Sequence, residues 1–306
     1  MDEPRVVCVI SAYRPDPALA AKVATLADQV AEVVVVDDGS GSDAAEVLLE
    51  IAAEGGVVVC MVDNSGIAAA INEGIAVSSA REGDYILVLD QDSVVAPGFV
   101  TALVSEHRLA SADGIDVGSV SPESFAGISQ ASGSLPGGHR SAARPIQSGT
   151  LYPMRVLQRV GPFDETLFID LVDTEFAMRL EAAGLAPIVA PGLDLPHRLG
   201  SVRQMRVLGR SVTVGLSAPF RYYYRARNRV IVTARYFRRW PGRMAREALR
   251  DAVQLTWSVA FAKQPLRMTR VLIDGTLDGV RRRGGRIPPR VTSRVERIQW
   301  RGREVS

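Results

Sequence analysis

An apolar run that ends in two carboxylates is the feature that most constrains how this chain can fold. Residues 85–95 read YILVLDQDSVV, so the apolar run from Ile86 to Leu89 is followed at once by Asp90 and Asp92. Such a run is typical of a strand that is buried on both faces of a parallel sheet. Ligands of open α/β sheets bind at the carboxyl ends of the strands, where paired carboxylates suit a hard divalent cation. On this motif alone a solvated polar loop is the simpler interpretation, and the rest of the chain must decide.

Three further apolar runs precede this one, at residues 6–10, 33–36 and 57–62. Apolar residues at helical spacing fill the intervals between the runs. The order β-α-β-α-β-α-β predicts a doubly wound, mostly parallel α/β sheet. No G-x-G-x-x-G motif follows the first run, which argues against a dinucleotide-binding fingerprint.

The chain is less regular after residue 110. Residues 111–145 are rich in Gly, Ser and Pro and predict loops with a short hairpin. We expect a helix near residues 153–160 and a short strand at Ile188 and Val189. Beyond Phe220 the pattern is helical, with two further helices predicted near residues 242–263 and 266–283.

The charge distribution supports a division of the chain into two parts. Residues 1–200 carry 11 Lys and Arg against 28 Asp and Glu, a net charge of −17. Residues 201–306 carry 25 against 6, a net charge of +19. This asymmetry predicts either an anionic partner for the basic third or packing of the two parts on each other. We expect a catalytic domain over residues 1–216 and a basic helical extension over residues 217–306.

The start of the basic extension interleaves arginines with aromatic residues. Residues 221–240 read RYYYRARNRVIVTARYFRRW. One interpretation is nucleic-acid binding through Arg and stacked Tyr. The other is an amphipathic surface on anionic lipid, with the aromatic side chains at the interface: Tyr222, Tyr223, Tyr224, Phe237 and Trp240. No signal peptide and no spanning segment is expected, so a location in the cytoplasm, peripheral to the inner face of the plasma membrane, is predicted.

Five motifs occur in an order that carries a family resemblance. Tyr13 ends the first strand, and DDGS (37–40), N-x-G (64–66), DQDS (90–93) and FIDLVDTE (168–175) follow. In this order they resemble the family 2 glycosyltransferases of the GT-A fold. LDQDS, SGTLYPMRVLQRVGPFDETLFIDLVDTEFAMRL and RYYYRARN are similar to the bacterial rhamnosyltransferase branch, over about residues 5–235.

The resemblance implies a nucleotide-binding set at the ends of the predicted strands. These residues match positions that contact the nucleotide in the family: Ser11, Tyr13, Asp37, Asp38, Asn64, Gly66 and Asp90. Carboxylates can accept hydrogen bonds from a pyrimidine N–H or a ribose hydroxyl. The alternatives are a partly buried surface aromatic for Tyr13 and ordinary turn and cap roles for the others. Arg14 departs from the branch, which usually has Asn before this Pro.

The resemblance also implies a metal site and a general base. Asp92 matches the metal ligand of the D-x-D motif and His197 a second ligand, with Mg²⁺ or Mn²⁺ as the cation. Asp173 matches the base that takes the proton of the acceptor hydroxyl. The alternative is that Asp170 and Asp173 are a cap and a first-turn acid of a helix. Glu175 and Arg179 are spaced as a surface ion pair would be.

The resemblance therefore implies an inverting, metal-dependent transferase of a single sugar. The expected donor is dTDP-L-rhamnose, and the expected acceptor is a polyprenyl-diphosphate-linked or growing bacterial cell-surface polysaccharide. Alternatives are another UDP-, dTDP- or GDP-linked sugar and, outside enzymes, a nucleic-acid-binding or scaffold protein that uses the basic third. We expect no nucleic-acid partner; a homo-oligomer is compatible with the sequence.

Overall fold

The computed structural model describes residues 5–81, 83–143, 145–197, 201–207 and 210–304. The chain divides into two compact units, which are described one at a time. The first unit comprises Met1–Glu165 and Val172–His197, and the second comprises Thr166–Leu171 and Arg198–Ser306. The second unit therefore begins earlier than the boundary at residue 217 that we placed from the sequence, and it includes a short segment from the middle of the chain.

The first unit is built on a ten-stranded mixed sheet. Its strands are β1 Val6–Ala12, β2 Glu32–Asp37, β3 Val57–Cys60, β4 Tyr85–Asp90, β5 Val117–Phe125, β6 Ile128–Ser129, β7 Ala131–Ser134, β8 Arg140–Ala142, β9 Thr150–Pro153 and β10 Ala186–Leu195. Their order is β3-β2-β1-β4-β9-β5-β10-β8-β7, with β6 paired to β5. The helices are α1 Ala18–Ala27, α2 Ala45–Ala53, α3 Ile67–Val77, α4 Phe99–Ala112, α5 Met154–Val160 and α6 Val172–Ala182.

The first four strands are parallel, as the alternating pattern predicted. β1 lies between β2 and β4, with Val9 paired to both Val34 and Val88. Every residue of β1 is buried because helices cover both faces of the sheet, which explains the uninterrupted apolar run. Gly74 lets α3 pack closely on β1, since a Cβ at that position would lie 2.4 Å from Cγ1 of Val9. The predicted fold class is confirmed.

The prediction of loops for residues 111–145 was wrong in its first half. Val117–Phe125 is a nine-residue strand within the sheet, paired to β9 and β10. Its apolar pattern is weak because two of its fully buried residues, Ser119 and Ser121, are polar. Ser121 is satisfied by a hydrogen bond between its Oγ and Oγ1 of Thr150, 2.9 Å long. The expected hairpin is present as β7 and β8.

The second unit is mainly helical. Its helices are α7 Pro219–Tyr236, α8 Pro241–Phe261, α9 Pro265–Val280 and α10 Pro289–Val295, and its strands are β11 Ser201–Val207, β12 Arg210–Leu216 and β13 Arg303–Glu304. The helices predicted from the sequence are thus confirmed. A proline stands at the first position of each of the four, where its missing N–H costs nothing. Among the described residues, no helix has the length and apolar content needed to cross a bilayer.

The interpretation of the α7 tyrosines as a lipid-facing surface was wrong. Tyr222, Tyr223 and Tyr224 are each 1% exposed and form the core of the second unit with residues of α9 and α10. The Tyr223 hydroxyl donates to Oδ2 of Asp278 over 2.8 Å, and burial raises the pKa of Tyr223. The sequence showed that aromatic residues cluster at the start of α7 but could not show that the protein itself covers them.

Candidate active site

The carboxyl ends of three parallel strands bring the predicted nucleotide-binding residues to one edge of the sheet. In the registers of β1, Ser11 pairs with Asp90 on one side, and Ala12 pairs with Asp37 on the other. The backbone N–H of Asp38 donates to the carbonyl of Ala12, so the pairing continues past the end of β2. The acidic motifs DDGS and DQDS therefore flank the end of the same central strand.

Asp90, Asp92 and His197 form a candidate metal site at this edge. One ligand atom from each residue lies within 4.8 Å of the others. His197 follows β10, and its ring packs against Phe125 with the ring centroids 4.6 Å apart. Its Nδ1 lies 3.5 Å from Oδ1 of Asp92 and has no hydrogen-bond partner within the described structure.

The residues of this cluster fit a divalent cation. A buried imidazole nitrogen without a hydrogen bond, facing two carboxylates, is a donor set that Mg²⁺ or Mn²⁺ can use, and nitrogen favours Mn²⁺. The side chain of Asp92 is 57% exposed, whereas that of His197 is 14% exposed. The cluster is therefore open to solvent on the aspartate side and closed on the histidine side.

The loop before β9, which the sequence analysis did not assign to the site, holds Asp90 in place through hydrogen bonds. The Asp90 N–H donates to Oγ of Ser148 over 2.9 Å, and Nε2 of Gln147 donates to Oδ1 of Asp90 over 3.3 Å. Ser148 Oγ is also 2.7 Å from Oγ of Ser93. The available signals were the polar run QSGT directly before an apolar strand and the inclusion of SGT in a run that carries the family resemblance. Because β9 pairs with β4, this run lies beside the D-x-D motif.

Asp38 joins the end of β2 to the loop before α3. Its two carboxylate oxygens accept hydrogen bonds from the N–H groups of Ser65, at 2.6 Å, and Gly66, at 2.9 Å. Gly66 has φ +96°, which a glycine adopts without strain. Gly39 allows Asn64 to approach, since a Cβ on Gly39 would lie 2.5 Å from the Asn64 nitrogen. Three of the predicted nucleotide-binding residues thus belong to one rigid loop pair.

Asp37 organises the turn next to Tyr13. It accepts hydrogen bonds from the N–H, at 3.0 Å, and the hydroxyl of Ser40. Ser40 Oγ in turn accepts from the Arg14 N–H over 2.7 Å. The Tyr13 N–H donates to Oε1 of Gln91 over 2.8 Å. The Tyr13 ring is 38% exposed, so it offers an aromatic surface beside the acidic residues.

Asp173 lies in the first turn of α6. Its Oδ1 accepts from the Thr174 N–H over 2.6 Å. Burial raises the pKa of Tyr152, and the nearby charge of Asp173 adds to that shift. The expected surface position of Glu175 was wrong, because its side chain is fully buried and accepts from Nε of Arg179 over 2.9 Å.

Comparisons with known proteins identify the class of protein that these motifs and this site resemble. Residues 7–134 match the family described as Glycosyl transferase family 2. The chain is 28% identical to dTDP-rhamnosyl transferase RfbF of Shigella flexneri, over 90% of this chain and 95% of that protein. Both comparisons therefore support a glycosyltransferase, with similarity to family 2 over residues 7–134.

A solved structure supports the fold independently. GalNAc-T7, crystallised with UDP, GalNAc and Mn²⁺, superposes with a TM-score of 0.53 at 13% identity, over 75% of this chain. The match spans about half of that protein, 51% of its length, and shows the shared fold. The comparisons with known sequences bear out the predicted resemblance to family 2 glycosyltransferases and the predicted enzyme class.

Proposed function

We propose that this enzyme transfers a single L-rhamnose from dTDP-L-rhamnose, with inversion and with a divalent cation, to a bacterial cell-surface glycan. The observation that carries the proposal is the cluster of Asp90, Asp92 and His197 beside the DDGS loop. The choice of donor rests on the similarity to the dTDP-rhamnosyl transferase over nearly the full length of both chains. Another UDP-, dTDP- or GDP-linked sugar is the alternative donor.

The nucleotide is assigned to the DDGS edge of the site. Tyr13 stacks on the pyrimidine, and the carboxylates of Asp37 and Asp38 accept hydrogen bonds from base and ribose. Asn64 and Gly66 lie on the loop that Asp38 holds, and Ser11 lies near the end of β1 beside Asp90. Asp90 would contact the ribose or help to hold the cation. The existing hydrogen bonds of Asp37 and Asp38 support this assignment because they hold both carboxylates in place before the donor arrives.

Asp92 and His197 are assigned as ligands of Mg²⁺ or Mn²⁺. When bound, the cation neutralises the charge that develops on the leaving diphosphate. The contribution of the chain is to hold the two ligands together. The packing of His197 on Phe125 orients the ring, and Gln147 and Ser148 orient Asp90.

Asp173 is assigned as the general base. Its carboxylate takes the proton of the acceptor hydroxyl while the hydroxyl oxygen forms a bond to the anomeric carbon. The bond from that carbon to the diphosphate oxygen breaks on the opposite face, so the configuration inverts and dTDP leaves with the electron pair. The position of Asp173 in the first turn of α6 supports this role, since the Thr174 N–H holds the carboxylate in place through Oδ1.

The acceptor is proposed to be a polyprenyl-diphosphate-linked glycan, met at the inner face of the plasma membrane. The net charge of +19 over residues 201–306 supports a location beside anionic lipid. No observation favours nucleic acid over lipid as the partner of this third.

A thermal-shift panel tests the donor and the metal together. The full chain is heated with dTDP-rhamnose, UDP-glucose or GDP-mannose, with Mn²⁺ or with chelator. We expect the largest stabilisation from dTDP-rhamnose with Mn²⁺, and Asp92→Asn removes its metal-dependent part. Asp116→Asn is the matched control, because Asp116 is an exposed acid that pairs with the exposed Arg159. Equal shifts for Asp92→Asn and the unchanged chain would show that the metal assignment is wrong.

A further inference from the structure

Helices α8 and α9 of the second unit each expose a row of large apolar side chains. The spacing of three, four or seven residues places each row along one side of its helix. The exposed fractions run from 43% to 81% for Leu249, Val253, Trp257, Leu266, Ile273, Leu277 and Val280. Apolar rows of this kind on consecutive helices are more than the isolated exposed residues of an ordinary surface.

The charges on the same two helices are sorted by sign. The structure describes every residue of 241–280, and the exposed ionisable residues of α8 and α9 are all arginines: Arg246, Arg250, Arg267 and Arg270. All the carboxylates turn inward. Asp251 accepts from Arg229, Asp274 from Arg294, and Asp278 from the Tyr223 hydroxyl. Glu247 lies 3.6 Å from Arg229 and is 14% exposed. The outer face is thus apolar and cationic, with no exposed acid.

We propose that the outer faces of α8 and α9 form the surface on which the enzyme docks onto an anionic lipid bilayer. The apolar rows enter the boundary between headgroups and acyl chains, and the arginines bind lipid phosphates at its edge. This surface replaces the buried tyrosines of α7 that the sequence suggested. The inference deepens the proposed function, because a lipid-linked acceptor would then be met on the membrane plane.

Two other partners fit these faces less well. A second copy in a two-fold contact would place arginines of one face opposite those of the other, with no exposed acid on either helix to pair with them. A nucleic acid would satisfy the arginines but would leave the aliphatic rows without an apolar partner, since only aromatic side chains stack on bases. Anionic lipid satisfies both components of the surface.

Vesicle sedimentation with the full chain tests the proposal. Phosphatidylcholine vesicles, alone or with phosphatidylglycerol, are mixed with the protein at low and high salt. We expect binding to the anionic vesicles, weakened at high salt because exposed charges are then screened. Emission from Trp257 should shift to the blue on binding, and Trp257→Phe should bind nearly as well without most of that shift. The vesicle-binding measurement itself uses the unaltered chain, so it does not depend on the stability of a variant.

Two double variants locate the surface, each with a matched control on the first unit. Arg246→Glu with Arg270→Glu, and Leu249→Ser with Ile273→Ser, should each weaken vesicle binding about tenfold or more. Arg81→Glu with Arg155→Glu, and Leu109→Ser, change exposed residues of the same kinds and should leave it unchanged. Thermal shifts with donor in every variant verify folding and test the proposed function separately.

Three results would overturn the docking surface. The first is that the protein does not bind anionic vesicles. The second is that the surface variants and the controls reduce vesicle binding equally. The third is a concentration-dependent dimer that only the surface variants abolish. Tighter binding to an RNA or DNA oligomer than to vesicles would assign the arginines to nucleic acid instead. A normal donor shift beside any of these results leaves the transferase assignment intact.

Discussion

The two units differ in how exposed the charged residues of their most conspicuous motifs are. In the first, the side chain of Asp92, just after β4, is 57% exposed and open to solvent. In the second, Arg227 is completely buried and donates to the carbonyls of Thr166, Leu167 and Gly285. Both units contain dense charged motifs that look functional in the sequence. The difference shows that a charged motif indicates a ligand site only when hydrogen bonds within the protein do not already account for its side chains.

Buried hydrogen bonds of the second unit hold residues 167–171 in a strained backbone conformation. Phe168, Asp170 and Leu171 have φ of 64°, 63° and 65°, a conformation that L-residues rarely adopt. Asn228 donates through Nδ2 to the carbonyls of Leu167, Ile169 and Asp170, at 2.7 to 2.9 Å. The motif RARN (residues 225–228) therefore fixes this segment through hydrogen bonds, and we call it the clamp. The segment leads directly into α6. The basic character of the clamp serves the fold rather than an anionic partner.

The largest expected effect separates function from fold at Asp173. Asp173→Asn should lower the transfer rate by about 10²–10⁴-fold while the affinity for donor changes little, because the base acts on the acceptor. Rates of sugar transfer and donor titration calorimetry measure the two quantities. Equal losses of rate and of donor affinity would instead mark Asp173 as part of the donor site.

The second prediction concerns the clamp of the second unit. Arg227→Met should lower the free energy of unfolding by about 3–5 kcal/mol, because several buried carbonyls lose their donor. Arg225→Met is the control and should cost about 1 kcal/mol or less. Arg225 is partly exposed, and Arg221 still pairs with Asp170 without it. Urea unfolding followed by tryptophan fluorescence compares them; equal losses would show that the clamp is unimportant.

The third prediction uses pH, because all three histidines belong to the first unit. Burial, followed by the charges of Arg155 and Arg108, lowers the pKa of His107 from 6.5 to about 4. The unfolded chain therefore binds this proton more readily, and stability should fall from pH 6.5 toward 4 by at most about 3 kcal/mol.

His139 acts in the opposite pH range. Its hydrogen bond to Glu106 raises its pKa, so its contribution is complete below pH 6.5 and is lost as the pH rises through the raised value. Unfolding of the first unit should thus be most resistant near pH 6.5. Thermal melts from pH 4 to 8 measure this, and His107→Gln should flatten the acid side alone. An unchanged acid side in that variant would contradict the assignment.

The smallest effect is expected for an exposed pair. Asp116 and Arg159 lie 3.3 Å apart and are both more than half exposed. Arg159→Ala should change the free energy of unfolding by about 0.5 kcal/mol or less, since solvent screens the pair. A loss comparable to that of Arg227→Met would show that exposure is a poor guide to the value of charged contacts in this protein.

Much of the first unit could be predicted from the sequence because its signals are local. Continuous apolar runs specify parallel strands covered on both faces, and each such strand must end at the same edge of the sheet. The placement of Asp37, Asp38 and Asp90 at that edge therefore followed from strand order alone. The helices of the second unit followed from spacing and from prolines at their starts.

Tertiary structure alone decided the contacts between distant residues. His197 approaches Asp92 only because β10 joins the sheet beside β5, and Gln147 reaches Asp90 only because β9 pairs with β4. The strand β5 was not predicted because it contains buried serines, which interrupt the apolar pattern. Hydrogen bonds such as that between Ser121 and Thr150 allow these serines to be buried. The periodicity of a sequence indicates which side of a helix is apolar. Whether other parts of the protein bury that side depends on residues far away in the sequence. That is why the tyrosines of α7 are buried and the apolar rows of α8 and α9 are exposed.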